Sequence, residues 1–304
     1  MHPRPSLERY GRHPHGGVIN SEFGTLRVAT WNLWWRYGQW QARHAAILAT
    51  LSRLQADVIV LNEVWEEVGG VQQADELARD LKMHAMTCCR PHDQDVLSGN
   101  AVLSRWPLLQ KGIRKLSATR SVLHAEIGSP YGPLSVFGTH LSWRPDESGR
   151  RQEEVGIVLD FISEKNYPSL PPILMGDFNA TPGSDELRRL TGQAASSAEG
   201  PIFFDAWEQA GDGSHGYTWT RANPYVADEP WPARRIDYVL PALPATSSPA
   251  GWFVPERCWI EGTEPVGGIQ PSDHYAVAAD LRCVLTTMEL ASEHCGVDHA
   301  VPRP

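Results

Sequence analysis

The chain is 304 residues long, with 41% hydrophobic residues and 36 acidic against 27 basic side chains, a formal net charge of −9. That length and apolar content suit one large domain, or two small ones, with a substantial core. A basic nucleic-acid stripe is excluded because the arginine doublets are scattered, and a membrane-spanning helix because no apolar run approaches the roughly 20 residues that cross a bilayer; a polyanionic substrate stays open, since a local cation can reverse an acidic field.

Residues 1–24, rich in His, Pro, Arg and Gly, read as a flexible N-terminal tail without the apolar core of a signal peptide. A strand is predicted over Leu26–Trp31 and a helix over Gln41–Leu54, where Ala42, Ala45, Ala46, Leu48, Ala49 and Leu51 follow the helical period. The run from Asp57 to Leu61 reads as a strand and Gln73–Leu81 as a second helix. Ala101–Leu103 reads as a strand stopped by Arg105-Trp106-Pro107, because proline breaks a ladder. Val122–Ile127 and Leu134–Phe137 flank Ser129-Pro130-Tyr131-Gly132 as a hairpin. Glu153–Ile162 is helical, Ile173–Met175 is a strand, and Ser184 is placed to cap a short helix running through Leu190. Residues 191–234 read as loop, Arg235–Leu240 as a strand, 241–251 as another loop and Val277–Leu281 as the closing strand, before a C-terminal tail at 284–304. Five cysteines in no ligand or disulfide spacing point to reduced thiols and a cytoplasmic protein. Interleaved helices and strands with hairpins predict one α/β domain with partly antiparallel sheets over residues 25–283.

Six polar clusters fall at predicted strand ends: Thr30-Trp31-Asn32, Asn62-Glu63, Thr139-His140-Leu141, Gly176-Asp177-Phe178-Asn179, Ile236-Asp237-Tyr238 and Ser272-Asp273-His274. In extended backbone positions i and i+2 point the same way, so Asp177 and Asn179 are expected to present a carboxylate and an amide side by side. Asn32, Glu63, Asp177, Asn179 and Asp273 are hard oxygen donors, a set suited to Mg²⁺ or Mn²⁺ rather than structural zinc. Glu63 is the expected direct ligand, with Asn32 and Asp273 near it. His274 and His140 are the acid–base candidates. Asp237 would fix the His274 tautomer and let it activate a water, while His140 and Asn179 would hold a phosphoryl oxygen as charge builds there. Trp34, Trp143, Arg144 and Arg105 are candidates for substrate contact, Arg105 also for an ion pair beneath the site. Arg150, Arg151, Arg221 and Arg234 could add a local basic rim. Each cluster alone has a plainer reading: an Asx turn at Asp177–Asn179, a cap at Glu63, a satisfied strand-end histidine at His140, an Arg partner for Asp237. Their occurrence as a series is what points to chemistry.

In chain order, Thr30-Trp31-Asn32, Asn62-Glu63, Gly99-Asn100-Ala101-Val102-Leu103-Ser104-Arg105, Gly138-Thr139-His140-Leu141, Gly176-Asp177-Phe178-Asn179, Arg235-Ile236-Asp237-Tyr238-Val239 and Ser272-Asp273-His274 closely resemble the motifs of the endonuclease/exonuclease/phosphatase superfamily, over about residues 26–282. That group includes pancreatic-type deoxyribonucleases, abasic-site endonucleases, neutral sphingomyelinases, inositol polyphosphate phosphatases and deadenylases. The resemblance implies a four-layer α/β sandwich, two packed mixed β-sheets flanked by helices, and Mg²⁺-dependent phosphoester hydrolysis. By it Glu63 and Asn32 belong to the metal site with Asp273 beside them, and His274 is the base oriented by Asp237. Asp177 and Asn179 are the Asp-x-Asn pair, and His140 matches the second histidine of deoxyribonuclease-like and sphingomyelinase-like members. Abasic-site endonucleases do not usually carry Thr-His-Leu at that place, which favours the other branches.

The expected activity is therefore in-line attack on a phosphodiester by a water that His274 and Asp237 activate, with nuclease, endonuclease-like or exonuclease-like, as the first substrate class. A sphingomyelinase-like or inositol-phosphate-like hydrolase is the alternative, for which the aromatic segment Pro249–Trp259 would offer a membrane-contacting loop. A catalytically silent binding module is the alternative of another class, and the filled Glu63 and His274 positions weigh against it. His294, Cys295 and His299 mimic ligand spacing, but no site is expected there.

Overall fold

The computed structural model describes residues 22–285 apart from 94, 166, 168–169, 196–199 and 245–250. His294, Cys295, His299 and most of both expected tails lie outside these residues. The strands are β1 (Glu22–Asn32), β2 (Val58–Glu67), β3 (His84–Pro91), β4 (Val96–Ser104), β5 (Leu108–Lys115), β6 (Ser121–Ser129), β7 (Gly132–His140), β8 (Ile173–Asp177), β9 (Asp237–Pro241), β10 (Gly251–Glu261) and β11 (Ala276–Leu285). The helices are α1 (Trp40–Leu54), α2 (Gln73–Leu81), α3 (Ser148–Ser163), α4 (Asp185–Leu190) and α5 (Ala206–Ala210). One sheet has the order β10-β11-β1-β2-β4-β3 and the other β5-β6-β7-β8-β9.

Both faces of the central strands are covered, and those strands read accordingly as continuous apolar runs. In β2, Val58 and Val60 enter the core between the sheets, while Ile59 and Leu61 enter the one that Ile47 and Leu51 of α1 and Leu77 of α2 share. In the second sheet Val136, Met175 and Val239 face inward, and Phe137, Leu174 and Leu240 pack with Val155 and Leu159 of α3 and Leu187 of α4. The layers are therefore helix, sheet, sheet, helix, the α/β sandwich that the resemblance implies. The sheets approach closely at Gly138, where an added Cβ would lie 2.9 Å from Val60 Cγ1.

Strand direction gathers the polar clusters. β1 and β2 are parallel, and their pairing stops at Asn32, the end of β1, opposite Asn62, where β2 bulges before running on to Glu67; β7 and β8 are parallel and end together at His140 opposite Asp177. β9 starts antiparallel to that end, with Asp237 opposite Asp177, and β11 runs antiparallel to β1, with Val277 opposite Thr30. Three strand ends, the bulge of β2 and two strand starts thus share one end of the sandwich. Asp237 opens its strand rather than closing one, as the sequence had suggested.

Three strands escape the sequence reading. β3 and β5 are half-exposed edge strands with little apolar patterning, and β10 carries Pro255 with a register shift between Pro255 and Arg257. The aromatic segment expected as a loop is therefore an edge strand, with Phe253 buried and Trp259 beneath the guanidinium groups of Arg27 and Arg257. β1 begins at Glu22, inside the expected tail. Among the described residues, Cys88, Cys89, Cys258 and Cys283 are free, and no helix is long and apolar enough to cross a membrane.

One buried side chain ties the sheets together at the polar end. Asn62 in β2 donates to Asn100 Oδ1 at 2.9 Å and to the Thr139 carbonyl of the second sheet at 3.0 Å, and its Oδ1 accepts the Asp177 N–H at 2.9 Å. Replacing it by alanine strands three buried groups. Asn62→Ala is expected to lower unfolding stability by about 2–4 kcal/mol in urea titration, and a loss below about 1 kcal/mol would show that the sheets do not depend on it.

His124 is a second buried polar group, in β6. It stacks on Phe137 at 4.6 Å and its Nε2 lies 3.1 Å from Ser135 Oγ. Burial, then Lys165, push its pKa down to about 4. The unfolded chain takes up a proton near the ordinary histidine value, about 6.5, while the fold resists it, so stability is lost as pH falls from there toward about 4. Between pH 7 and pH 5 the His124 share is about 1–2 kcal/mol; His124→Gln should flatten the pH dependence of the urea midpoint by that amount, and an unchanged slope would refute the assignment.

Candidate active site

The first sheet supplies Asn32, Glu63, Asp273 and His274. At Glu63 the register of β2 shifts between Asn62 and Val64 and the backbone is left-handed, φ +53°. The bulge lets Asn62 point into the protein while Glu63 turns toward the cleft, a strained conformation of the kind held only by a surrounding frame. Asn32 donates from Nδ2 to Asp177 Oδ2 at 3.0 Å, and its Oδ1 accepts the Trp34 N–H at 2.9 Å. Trp34 and Trp35, which follow, are also left-handed. Arg43 of α1, fully buried, holds that loop by donating to the carbonyls of Leu33, Trp34, Trp35 and Pro271 at 2.7–3.0 Å.

The second sheet supplies His140, Asp177, Asn179 and Asp237. Gly176 has φ +144°, and a Cβ there would sit 1.9 Å from the Thr139 carbonyl oxygen, so glycine is required to keep β8 on β7 beside the site. Asn179 does not continue the strand as expected. Its φ is +50°, its N–H donates to Asp177 Oδ1 at 2.9 Å, and its Nδ2 donates to the Leu141 carbonyl at 3.2 Å. The Asx turn is real, and it coexists with placement of Asn179 in the cleft.

His274, just before β11, reaches across to the second sheet. Its Nδ1 lies 2.9 Å from Asp237 Oδ2 and its Nε2 3.9 Å from Asp177 Oδ2. Trp31 Nε1 donates to its carbonyl at 2.9 Å, and Ser272 Oγ accepts its N–H at 3.3 Å while donating to the Asn32 carbonyl at 2.7 Å. Burial works against a proton on His274, but Asp237, then Asp273 and Asp177, outweigh it and hold its pKa well above the usual histidine range. Burial raises Asp177, with Asp237 adding to the rise and His274 opposing it. Burial likewise lifts Asp273 to about 6, against the pull of His274 and with help from Glu63. The pocket is a field that favours positive charge.

His140 is arranged in the opposite sense. Its Nδ1 lies 2.9 Å from Arg120 Nη1, and because a guanidinium only donates, that nitrogen is the acceptor and Nε2 carries the hydrogen. Nε2 lies 3.4 Å from Asp177 Oδ2 and 3.9 Å from Glu63 Oε1. Burial, then Arg120 and His274, push its pKa well below the usual value, so it stands as a neutral donor aimed into the cleft.

Of the expected substrate contacts, Trp34, Trp143 and Arg144 line a cleft of about 750 Å³ around these groups, with Trp143 largely exposed. Arg105 does not join them. It pairs with Asp57 at 3.0 Å, next to the start of β2 and a strand's length from Glu63. Arg150 and Arg234 reach the cleft, whereas Arg151 is buried against Glu186 at 2.8 Å and Arg221 donates to the Glu229 carbonyl. Arg120, Arg43 and the bridging role of Asn62 are not foreseen from sequence. Arg120 lies in a turn with no motif around it; Arg43 left a trace, being a cation on the same helical face as Ala46, Ile47 and Thr50.

Oxygen donors with spare lone pairs remain. Among the described residues the Glu63 carboxylate accepts no hydrogen bond, and the one polar side-chain neighbour of the Asp273 carboxylate at hydrogen-bond range is Ser272 Oγ at 3.3 Å, whose hydrogen is directed to the Asn32 carbonyl at 2.7 Å. With Asn32 Oδ1 these fit a hard divalent ion. Asp177, Asp237 and His274 also offer atoms within 4.8 Å of one another. Asp177 already accepts from Asn32 and Asn179, however, and Asp237 is engaged with His274, so that trio suits proton handling better.

No curated protein sequence matches the chain. Among solved structures, an endonuclease/exonuclease/phosphatase from Beutenbergia cavernae is similar at 26% identity and TM-score 0.65, over 86% of this chain and 72% of that one. TDP2 of D. rerio, solved with a single-strand DNA product, is similar at 21% identity and TM-score 0.66, over 84% of this chain and 98% of its own. Truncated Caenorhabditis elegans TDP2 is similar at 19% identity and TM-score 0.62, over 85% and 97%. The last two are likenesses of fold. A family model of the Endonuclease/Exonuclease/phosphatase family matches residues 29–274, a span that takes in all six polar clusters, and the chain belongs to that family.

Proposed function

We propose that the chain is a Mg²⁺- or Mn²⁺-dependent phosphodiester hydrolase acting on nucleic acid. The observation that supports it most is a convergence: Nε2 of His274 and Nε2 of His140 lie 3.9 and 3.4 Å from the same Asp177 oxygen, one imidazole held by a carboxylate and the other by a guanidinium. Partners of opposite charge suit the two rings to opposite tasks.

In this reading positive charge bound at Glu63 and Asp273 would offset the carboxylates that favour a proton on His274, and the neutral ring takes the proton of a water as its oxygen attacks phosphorus, while the leaving oxygen departs on the far side. Asp237 keeps the His274 tautomer fixed and stabilises the imidazolium that forms. His140 donates its Nε2–H, and Asn179 its amide, to the phosphoryl oxygen on which charge accumulates. Glu63 and Asp273, with the Asn32 side-chain oxygen, would hold the divalent ion, which supplies Lewis-acid stabilisation of that charge when bound. For the substrate, exposed Trp143 and Trp231 beside Arg144 and Arg150 at the cleft suit stacked bases on a charged backbone. The likeness to a TDP2 solved with single-strand DNA supports the same class. The lipid alternative loses its membrane-contacting loop, because Trp252 and Phe253 lie within β10.

Hydrolysis of bis(p-nitrophenyl) phosphate tests the chemistry. EDTA should abolish it and Mg²⁺ or Mn²⁺ restore it, and full activity after exhaustive chelation would contradict the proposal. His274→Ala should cost about 10²–10⁴-fold in kcat, and Glu63→Gln should raise the Mg²⁺ needed for half-maximal rate; equal rates in wild type and both variants would remove the enzyme reading. Asp237→Asn should lower kcat more than it raises KM, since it acts on the base; a variant with normal kcat and a raised KM would assign Asp237 to binding instead.

A further inference from the structure

The fold treats the two members of Arg234-Arg235 differently. Arg235 is buried and neutralised by Asp205, with Glu208 a further 3.7 Å away. Arg234 has no carboxylate within ion-pair distance and no side-chain hydrogen bond among the described residues, and its Nε is buried without a partner. Its guanidinium lies 4.6 Å over the centre of the Trp219 ring. The two residues also face each other in an isolated bridge, with Arg234 N–H donating to the Trp219 carbonyl at 2.8 Å and Trp219 N–H to the Arg234 carbonyl at 3.0 Å. Next to them, Thr218 Oγ1 accepts the N–H groups of Ile236 and Asp237 at 3.1 and 3.3 Å. Arg234 is therefore fixed relative to the orienting carboxylate.

Its position is equally specific. Arg234 forms part of the wall of the catalytic cleft and also of a second cavity of about 430 Å³ between Pro182, Trp207, His215 and Tyr217. A planar guanidinium that is stacked on an indole and free of any acid partner keeps its donors for an anionic oxygen, and phosphate matches its fork.

We propose that Arg234 is a substrate-positioning residue that binds a second phosphate of the nucleic-acid strand, beside the one being hydrolysed and toward the second cavity. This rests on the phosphodiesterase reading above and adds a preference: a diester flanked by another phosphate is favoured over an isolated one. Arg150, by contrast, is paired with Glu147 at 3.3 Å and Arg144 with Asp146 at 3.4 Å, so neither offers an unshared charge.

Steady-state kinetics test this with four substrates: thymidine dinucleotide without terminal phosphate, the same dinucleotide with a 5′-phosphate or a 3′-phosphate, and bis(p-nitrophenyl) phosphate. Wild type should prefer one phosphorylated dinucleotide by about tenfold to a hundredfold in kcat/KM, mainly through KM. Arg234→Gln should erase that preference while leaving the other two substrates within about twofold of wild type, and Arg234→Lys should restore part of it as a point charge without the fork. A uniform loss on all four substrates would overturn the proposal, since Arg234 would then only balance Asp177 and Asp237. So would a preference that survives in Arg234→Gln, or a wild type that hydrolyses the dinucleotides without preference. A wild type that hydrolyses none of the four would overturn the phosphodiesterase reading itself, and this proposal with it.

Discussion

Asn62 spans the boundary between the two sheets, and the site exists only because that boundary is held in register. The first sheet contributes Asn32, Glu63, Asp273 and His274, and the second contributes His140, Asp177, Asn179 and Asp237. Neither sheet carries a complete set. His274 sits beside one and Asp237 on the other, 2.9 Å apart. Because side chains alternate along a strand, a slip of one residue would turn these groups away from each other. The Asn62 amide, satisfied on three sides by Asn100, Thr139 and Asp177, fixes the alignment from within. The Asn32–Asp177 hydrogen bond repeats the link nearer the cleft.

The second constraint is electrostatic. Asp177, Asp237 and Asp273 are all buried close together, which is unfavourable unless positive charge answers them. The fold meets this in two ways. Inside, His274 is drawn toward its protonated form. At the mouth, Glu63 and Asp273 keep unengaged oxygens, where a divalent ion would do the same. His140 lies outside this bargain, because Arg120 already faces it and keeps it neutral. Two imidazoles within a few ångströms of one carboxylate are thus told apart by what stands behind them.

Much of this was readable in the sequence, for a physical reason. The polar groups of the cleft sit at or near the ends of buried apolar runs, and the polar residue that closes such a run stands out. Ile173-Leu174-Met175 before Gly176-Asp177 shows this, as does Val58 to Leu61 before Asn62-Glu63. The central helices were legible by period, with α2 matching its expected bounds. The edge strands were not, because β3 and β5 bury too little to impose a pattern. Arg120 and Arg43 were missed because their roles arise from distance in space: Arg120 meets His140 across 20 positions of chain. Arg105 does make an ion pair, as one of its two readings expects, but away from the cleft, because its motif spans a whole strand and its last residue lies at the opposite end from the polar clusters. The turn at Asn179 corrected an assumption about backbone shape without moving the residue from the cleft.

The pairing of the first and last strands has an architectural consequence. Glu22 lies opposite Val284 in neighbouring antiparallel strands, at the end of the sandwich away from the polar clusters. The domain is therefore entered and left by the chain at one spot on its back. A fusion partner or a tether joined at either point would begin its path behind the cleft. Splicing the whole unit into a surface loop of a host protein would demand only a narrow gap between the two junctions, with the mouth left facing outward.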